Sequence, residues 1–145
     1  MIARTVHKLF TRTIRKPIIL WDAAAHDEQP YFCMLVYQKS DPFAVKLLVP
    51  SHATGKVAEV VFARGLLIDG VDGPAGDGAV RVEPHIVDRD YTTLTLPLTR
   101  DGKEFFTERA PLLDFVTETC ALVPSGRERP RVTAELDRWL AGVTA

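Results

Sequence analysis

The sequence has little that would support covalent or metal chemistry. There are two cysteines, Cys33 and Cys120, among 145 residues, far apart and in no metal-ligand spacing. With no secretion signal in view, both are read as reduced, buried, cytoplasmic thiols. The longest purely apolar runs are a few residues, far short of the roughly 20 that cross a bilayer. Repeats of solenoid length, low-complexity tracts and linkers rich in Gly, Pro or Ser are also missing. The chain is therefore expected to form one domain over residues 1–145, with 46% apolar residues to fill its core. A formal charge of −1 gives no global drive toward nucleic acid or an anionic membrane. The charge is uneven, however. Arg4, Lys8, Arg12, Arg15 and Lys16 stand without an acid in residues 1–16, leaving 13 basic against 19 acidic side chains elsewhere.

What is present is strand pattern and turn chemistry. Val6, Phe10 and Ile14 alternate with polar residues and predict a strand over Thr5–Ile14. Tyr31–Gln38 and Phe43–Val49 are rich in aromatic and β-branched residues, and Lys39-Ser40-Asp41-Pro42 joins them as a hairpin turn. Lys56–Phe62 predicts a further strand. Ala63–Asp69 predicts one or two helical turns, stopped by Gly70 as a C′ glycine. The segment from Gly70 through Gly73, Gly76 and Gly78 is too glycine-rich for helix or sheet and reads as a loop. Val80 and Val82, then Leu94, Leu96 and Leu98, mark strands with one buried face. Asp101-Gly102 marks a hairpin returning through Lys103–Thr107. Leu112, Phe115, Val116 and Thr119 fall at helical spacing behind Pro111. Val132, Leu136, Trp139, Leu140 and Val143 predict a second, C-terminal helix. The class is α+β, with largely antiparallel pairing.

No catalytic constellation assembles from this pattern. The glycine loop lacks both G-x-G-x-x-G and a Walker lysine. His7, His26, His52 and His85 stand singly, and a zinc site needs several such ligands to converge. Ser125, in Pro124-Ser125-Gly126, lacks the glycine that precedes a nucleophile elbow. Glu104 with Glu108, and Asp114 with Glu118, are spaced four apart as on the solvated face of a helix. The basic segment is the one candidate binding feature. Its cations, with Phe10 and Trp21, allow single-stranded nucleic-acid binding as an alternative, against a charged edge that deters aggregation.

Three segments resemble the SsgA-like proteins of sporulating actinobacteria. They are Asp41-Pro42-Phe43-Ala44-Val45; Phe62-Ala63-Arg64 with Leu66-Leu67 and Gly70; and Gly76-Asp77-Gly78 leading into Val80-Arg81-Val82-Glu83-Pro84. Weaker similarity continues through Pro111–Pro124 and Glu135-Leu136. Gly65 departs from the pattern, since an acidic residue is expected there, and so does the basic amino-terminal segment. The resemblance implies a Whirly-like domain of antiparallel sheets, with a short mid-chain helix and two C-terminal helices, assembled as a homotrimer. It also implies a non-enzymatic adaptor in sporulation-specific cell division. Such an adaptor would act without a cofactor through contacts with relatives, with the tubulin-like division protein FtsZ or with the peptidoglycan machinery, at septum sites.

Overall fold

The computed structural model describes residues 12–25, 29–76 and 78–126. Strands β1 (Thr13–Asp22), β2 (Tyr31–Gln38), β3 (Ala44–Pro50) and β4 (Val57–Ala63) lead into helix α1 (Arg64–Gly70). Strands β5 (Ala75–Gly76), β6 (Arg81–Pro84), β7 (Tyr91–Leu96) and β8 (Lys103–Glu108) follow, then helix α2 (Arg109–Leu122). All pairings are antiparallel, in the order β4-β3-β2-β1-β8-β7-β6-β5. The ten residues of β1 hold the two halves together. Thr13 to Leu20 pair with β2, whereas only Trp21 and Asp22 pair with β8.

The concave side of this curled sheet is the core. Alternate residues of β2 (Cys33, Leu35, Tyr37), β3 (Val45, Leu47, Val49), β4 (Val60, Phe62) and β7 (Leu94, Leu96) point into it, the period-2 pattern of a sheet with one buried face. From α2, Leu112, Phe115 and Thr119 close over it.

The turns are fixed by specific bonds. In the β2–β3 hairpin the buried Tyr37 hydroxyl donates to the Pro42 carbonyl at 3.0 Å. The Phe43 carbonyl accepts the Arg64 N–H at 2.7 Å, tying that turn to the start of α1. Gly102, at φ 83°, turns β7 into β8, as Asp101-Gly102 predicts.

Several expectations change. The amino-terminal strand runs over Thr13–Asp22; the part predicted over residues 5–11 lies outside the described residues, as does the second C-terminal helix over 132–143. Gly70 does not adopt a positive φ and belongs to α1. A Cβ there would stand 2.4 Å from Val82 Cγ1, so glycine is needed for close packing of α1 on β6 and not for a C-terminal turn. The glycine-rich segment also holds a two-residue strand, Ala75–Gly76, paired with Val82 and Arg81. Backbone pairing forms that strand without any side-chain pattern.

Candidate interaction surface

An antiparallel sheet that buries one face normally gives water a polar opposite face. Here the convex side of β1 and β2 is largely apolar. In register, Pro17 lies opposite Met34, Ile19 opposite Phe32, and Met34 in turn opposite Leu48. Phe32 is 71% exposed. Pro17, Ile19, Trp21, Phe32, Met34 and Pro111 line a groove of about 420 Å³ between this face and the start of α2. The Thr107 hydroxyl donates to the Ile19 carbonyl at 2.8 Å and holds the β8 side of the groove against β1. Trp21 also meets Tyr91 edge-on, with ring centroids 6.3 Å apart.

A second apolar feature is the β6–β7 loop, whose tip is Ile86, 96% exposed, and Val87, 87% exposed. The loop is well braced for so open a tip. His85 Nδ1 accepts the N–H groups of Val87 at 3.2 Å and Asp88 at 3.1 Å, which requires that nitrogen to be unprotonated. Asp88 Oδ1 accepts the Asp90 N–H at 3.0 Å. The His85 ring packs edge-on against Phe106 at 4.7 Å, and Phe106 pairs with Trp21 across the β1–β8 seam. One aromatic contact and one backbone pairing thus lie between the base of the loop and Trp21.

At the far end of β1, Lys103 Nζ lies 3.1 Å from Asp22 Oδ2 and 3.4 Å from the Tyr31 hydroxyl. His52 stacks on Tyr31 at 3.9 Å. Burial alone would raise the Asp22 pKa, but the Ala24 N–H, the Lys103 ammonium and the Ala25 N–H outweigh it and hold the carboxyl below its ordinary value. For Lys103, burial lowers and the bonds to Asp22 and Tyr31 raise, with a net upward shift. A lysine in this state stays protonated and serves as a fastener, not a base. Burial pushes the Cys33 thiol up to about 12, far from a thiolate nucleophile.

The family-signature residues are distributed through the frame. Val45, Phe62, Leu67, Val80 and Val82 are buried, and Leu66 packs partly against the core. Arg64 is 1% exposed; its Nη1 donates to the carbonyls of Thr119 at 3.1 Å and Val123 at 2.6 Å, and its guanidinium lies 5.2 Å from the centre of the Tyr37 ring. It therefore caps the carboxyl end of α2, where the helix dipole favours a cation. Asp41, Pro42, Phe43 and Ala44 form the hairpin turn and the start of β3, and Ala63 precedes α1. Gly76 sits where a Cβ would approach Arg81 Cγ at 2.9 Å, and Gly78 has φ 98°. Arg81 is exposed and Pro84 half-buried at the two ends of β6.

The basic segment is placed only in part, since Arg4 and Lys8 lie outside the described residues. Arg12 and Arg15 are exposed. Lys16, on the opposite side of β1 from Arg15, pairs with Glu118 at 3.3 Å. Glu104 and Glu108 belong to strand β8, not to a helix. Cys33 is buried, whereas Cys120 is only half-buried. Among the described residues, no group of three or more His, Cys, Asp or Glu side chains is arranged to hold a metal, and no helix is long and apolar enough to cross a membrane.

The apolar convex face and the Ile86-Val87 tip escape a reading that searches for chemistry. The signal for the former is present. Ile18-Ile19-Leu20-Trp21 and Phe32-Cys33-Met34-Leu35-Val36-Tyr37 are apolar at successive positions, the pattern of strands covered on both faces.

Comparison with known proteins gives this geometry a biological setting. The family described as "Streptomyces sporulation and cell division protein, SsgA" matches residues 32–128. The sporulation-specific cell division protein SsgB of Salinispora tropica is 36% identical over 117 residues, covering 78% of this chain and 82% of that protein. SsgB of Streptomyces coelicolor is 33% identical over 112 residues, covering 77% and 80%. A solved structure from work on SsgB mutations and longitudinal cell division in sporulating Streptomyces coelicolor superposes with a TM-score of 0.73. It is 28% identical, and the match covers 83% of this chain and 96% of that one. The crystal structure of an SsgA-like sporulation-specific cell division protein from Thermobifida fusca gives 0.67 at 26% identity, covering 88% and 94%. The curled antiparallel sheet with its two helices is the fold of these structures, and the chain belongs to the SsgA family of sporulation and cell division proteins.

Proposed function

We propose that this protein is a non-enzymatic adaptor of sporulation-specific cell division, a single Whirly-like domain over residues 1–145 that works as a homotrimer at septum sites in the cytoplasm. The observation that carries the reading is the apolar convex face of β1 and β2 in a member of this family. A side of the sheet that presents Pro17, Ile19, Phe32 and Met34 to water is suited to protein contacts. Its partners are other copies or relatives and the division machinery, FtsZ or the peptidoglycan-building apparatus. Three copies raise the avidity of a weak site by about 10² or more without new contacts in each copy. The family-signature residues serve this role indirectly, by setting the frame. No cofactor is required.

Single-stranded nucleic-acid binding through Arg4, Lys8, Arg12, Arg15 and Lys16 has less support, because Arg15 and Lys16 project to opposite sides of β1 and Lys16 is engaged by Glu118. The test is light scattering coupled to size-exclusion chromatography, for the protein alone and mixed with purified FtsZ. A trimer that co-migrates with the division protein is expected. A monomer that ignores FtsZ but retains an oligonucleotide at low salt would reverse the order of the two readings.

A further inference from the structure

We infer that the chain's own carboxyl-terminal segment, residues 132–143, seats in the groove between the start of β1 and the last turn of α2. This contact goes beyond the adaptor reading and holds with or without it. The groove encloses about 500 Å³, is separate from the apolar groove on the convex face, and is lined by Arg12, Ile14, Arg15, Glu118, Ala121 and Leu122. Its floor continues the interior, since Ile14 and Leu122 are half-buried against the core. Its rim is basic in effect. Lys16 engages Glu118 at 3.3 Å, whereas among the described residues neither Arg12 nor Arg15 has an ion-pair partner. The surface that fits such a groove is an apolar stripe with a carboxylate at its edge.

Sequence and reach select the occupant. Val132, Leu136, Trp139, Leu140 and Val143 recur at helical spacing, so a helix over these residues carries one apolar stripe. Glu135 falls at the edge of that stripe, while Asp137 and Arg138 fall away from it. Glu135 is thus the carboxylate that meets Arg12 and Arg15. Gly126 takes φ 91° and turns the chain off the end of α2. Residues 127–131 then intervene, and five extended residues span at most about 17 Å. From Pro111 to Leu122, α2 is itself about 17 Å long. The groove at its last turn therefore lies within easy reach, whereas the cavities around its first turn lie at the limit of that span. So short a connection holds the segment at about millimolar effective concentration, above that of a separate partner. Seated there, the segment withdraws Arg12 and Arg15 from outside anions.

Hydrogen–deuterium exchange of the full chain, followed by peptide mass analysis, tests the contact. In the unaltered protein the amides of residues 133–143 should exchange at least about tenfold more slowly than in a free peptide of residues 127–145. Ala121→Asp puts a carboxylate into the groove at an exposed position. It should return exchange of the segment to within about twofold of the free peptide, with the protection of β2 and β3 unchanged. Arg12→Glu combined with Arg15→Glu should speed exchange about fivefold, the size of an exposed charge pair, and adding Glu135→Arg should restore it. Dilution by about a hundredfold should leave the protection in place, as a contact within one copy requires. Exchange in the unaltered protein as fast as in the free peptide overturns the inference. So does protection that survives Ala121→Asp, which places the segment elsewhere, or protection lost on dilution, which places it on another copy. Failure of Glu135→Arg to restore protection overturns the pairing of Glu135 with the two arginines.

Discussion

Arg64 offers the sharpest test of how this fold is held. Its guanidinium is fully buried and donates to two carbonyls at the end of α2, while lying over the ring of Tyr37. Arg64→Ala removes both charge-assisted bonds, and hydrogen bonds to a charged group contribute about 1.5–3 kcal/mol each. It also leaves the Val123 carbonyl without this donor, forfeits a cation–π contact worth about 0.5–2 kcal/mol and opens a void. Relief of the buried charge's desolvation offsets part of this loss. The net expectation is about 3–5 kcal/mol, the range for breaking a buried charged network. Against a total stability of about 5–15 kcal/mol, that is a large fraction. Arg64→Lys keeps the charge but lacks the planar guanidinium that lies over the Tyr37 ring, and should cost about half as much. The assay is urea unfolding followed by far-ultraviolet circular dichroism at neutral pH, with the midpoint and slope read separately. Loss of less than about 1 kcal/mol in Arg64→Ala, a surface-like value, would refute the claim that this side chain secures α2 to α1 and β2.

Other outcomes follow from the same geometry. Gly70→Ala places a methyl group 2.4 Å from Val82 Cγ1 and 2.8 Å from the Val82 carbonyl; overpacking of this kind costs about 1–3 kcal/mol, read as a lower thermal midpoint. The Asp22–Lys103 pair makes stability pH-dependent at both extremes. Asp22, held below its ordinary pKa, contributes stability that is present above the unfolded value of about 3.9 and lost as pH falls through the lower folded value. Lys103, held above its own, contributes stability that is complete below about 10.4 and lost as pH rises through the higher folded value. Asp22→Asn should flatten both limbs of a stability–pH curve, and unchanged limbs would dismiss the pair as a fastener. Cys33, buried with its pKa pushed up to about 12, should resist a thiol reagent at pH 8 in the native protein and react after unfolding, with peptide mass mapping to distinguish it from Cys120.

The sequence was readable wherever one face of an element meets the core and the other meets water. Val82, Leu94 and Leu96, and the Leu112–Phe115–Thr119 spacing of α2 all lie in elements that the periodicity predicts, and the buried Val80 stands just before β6. The part of β1 beyond Ile14 escapes that pattern for the opposite reason. Ile18-Ile19-Leu20-Trp21 has no period-2 contrast, because Ile19 and Trp21 are apolar on the convex side, and proline is uncommon inside paired strands. Yet Pro17 sits where β1 pairs with β2 alone, β8 joining only at Trp21, and a strand with one partner tolerates proline. Gly70 was recognised as important for the wrong reason, since only the approach of Val82 shows why a side chain has no room there. The capping role of Arg64 joins residues 55 and 59 positions apart and carries no local signal.

That division between legible frame and hidden surface bears on what family membership implies. Of the residues through which the chain resembles its relatives, Val45, Phe62, Arg64, Leu67, Val80 and Val82 are buried, and Gly70 is fixed by its contact with Val82. Changing any of them acts first on stability, so a resemblance carried by such residues reports the fold. The groove and tip instead use Phe32, Met34, Ile86 and Val87, which lie outside the three matching segments. Phe32, Ile86 and Val87 are open to water, where substitutions usually stay within about 0.5 kcal/mol. A relative could therefore alter its contacts at little cost to the frame that identifies it. Placing the tip and groove residues of such a relative in this chain should leave the unfolding midpoint nearly unmoved, whereas exchanging the signature residues should lower it.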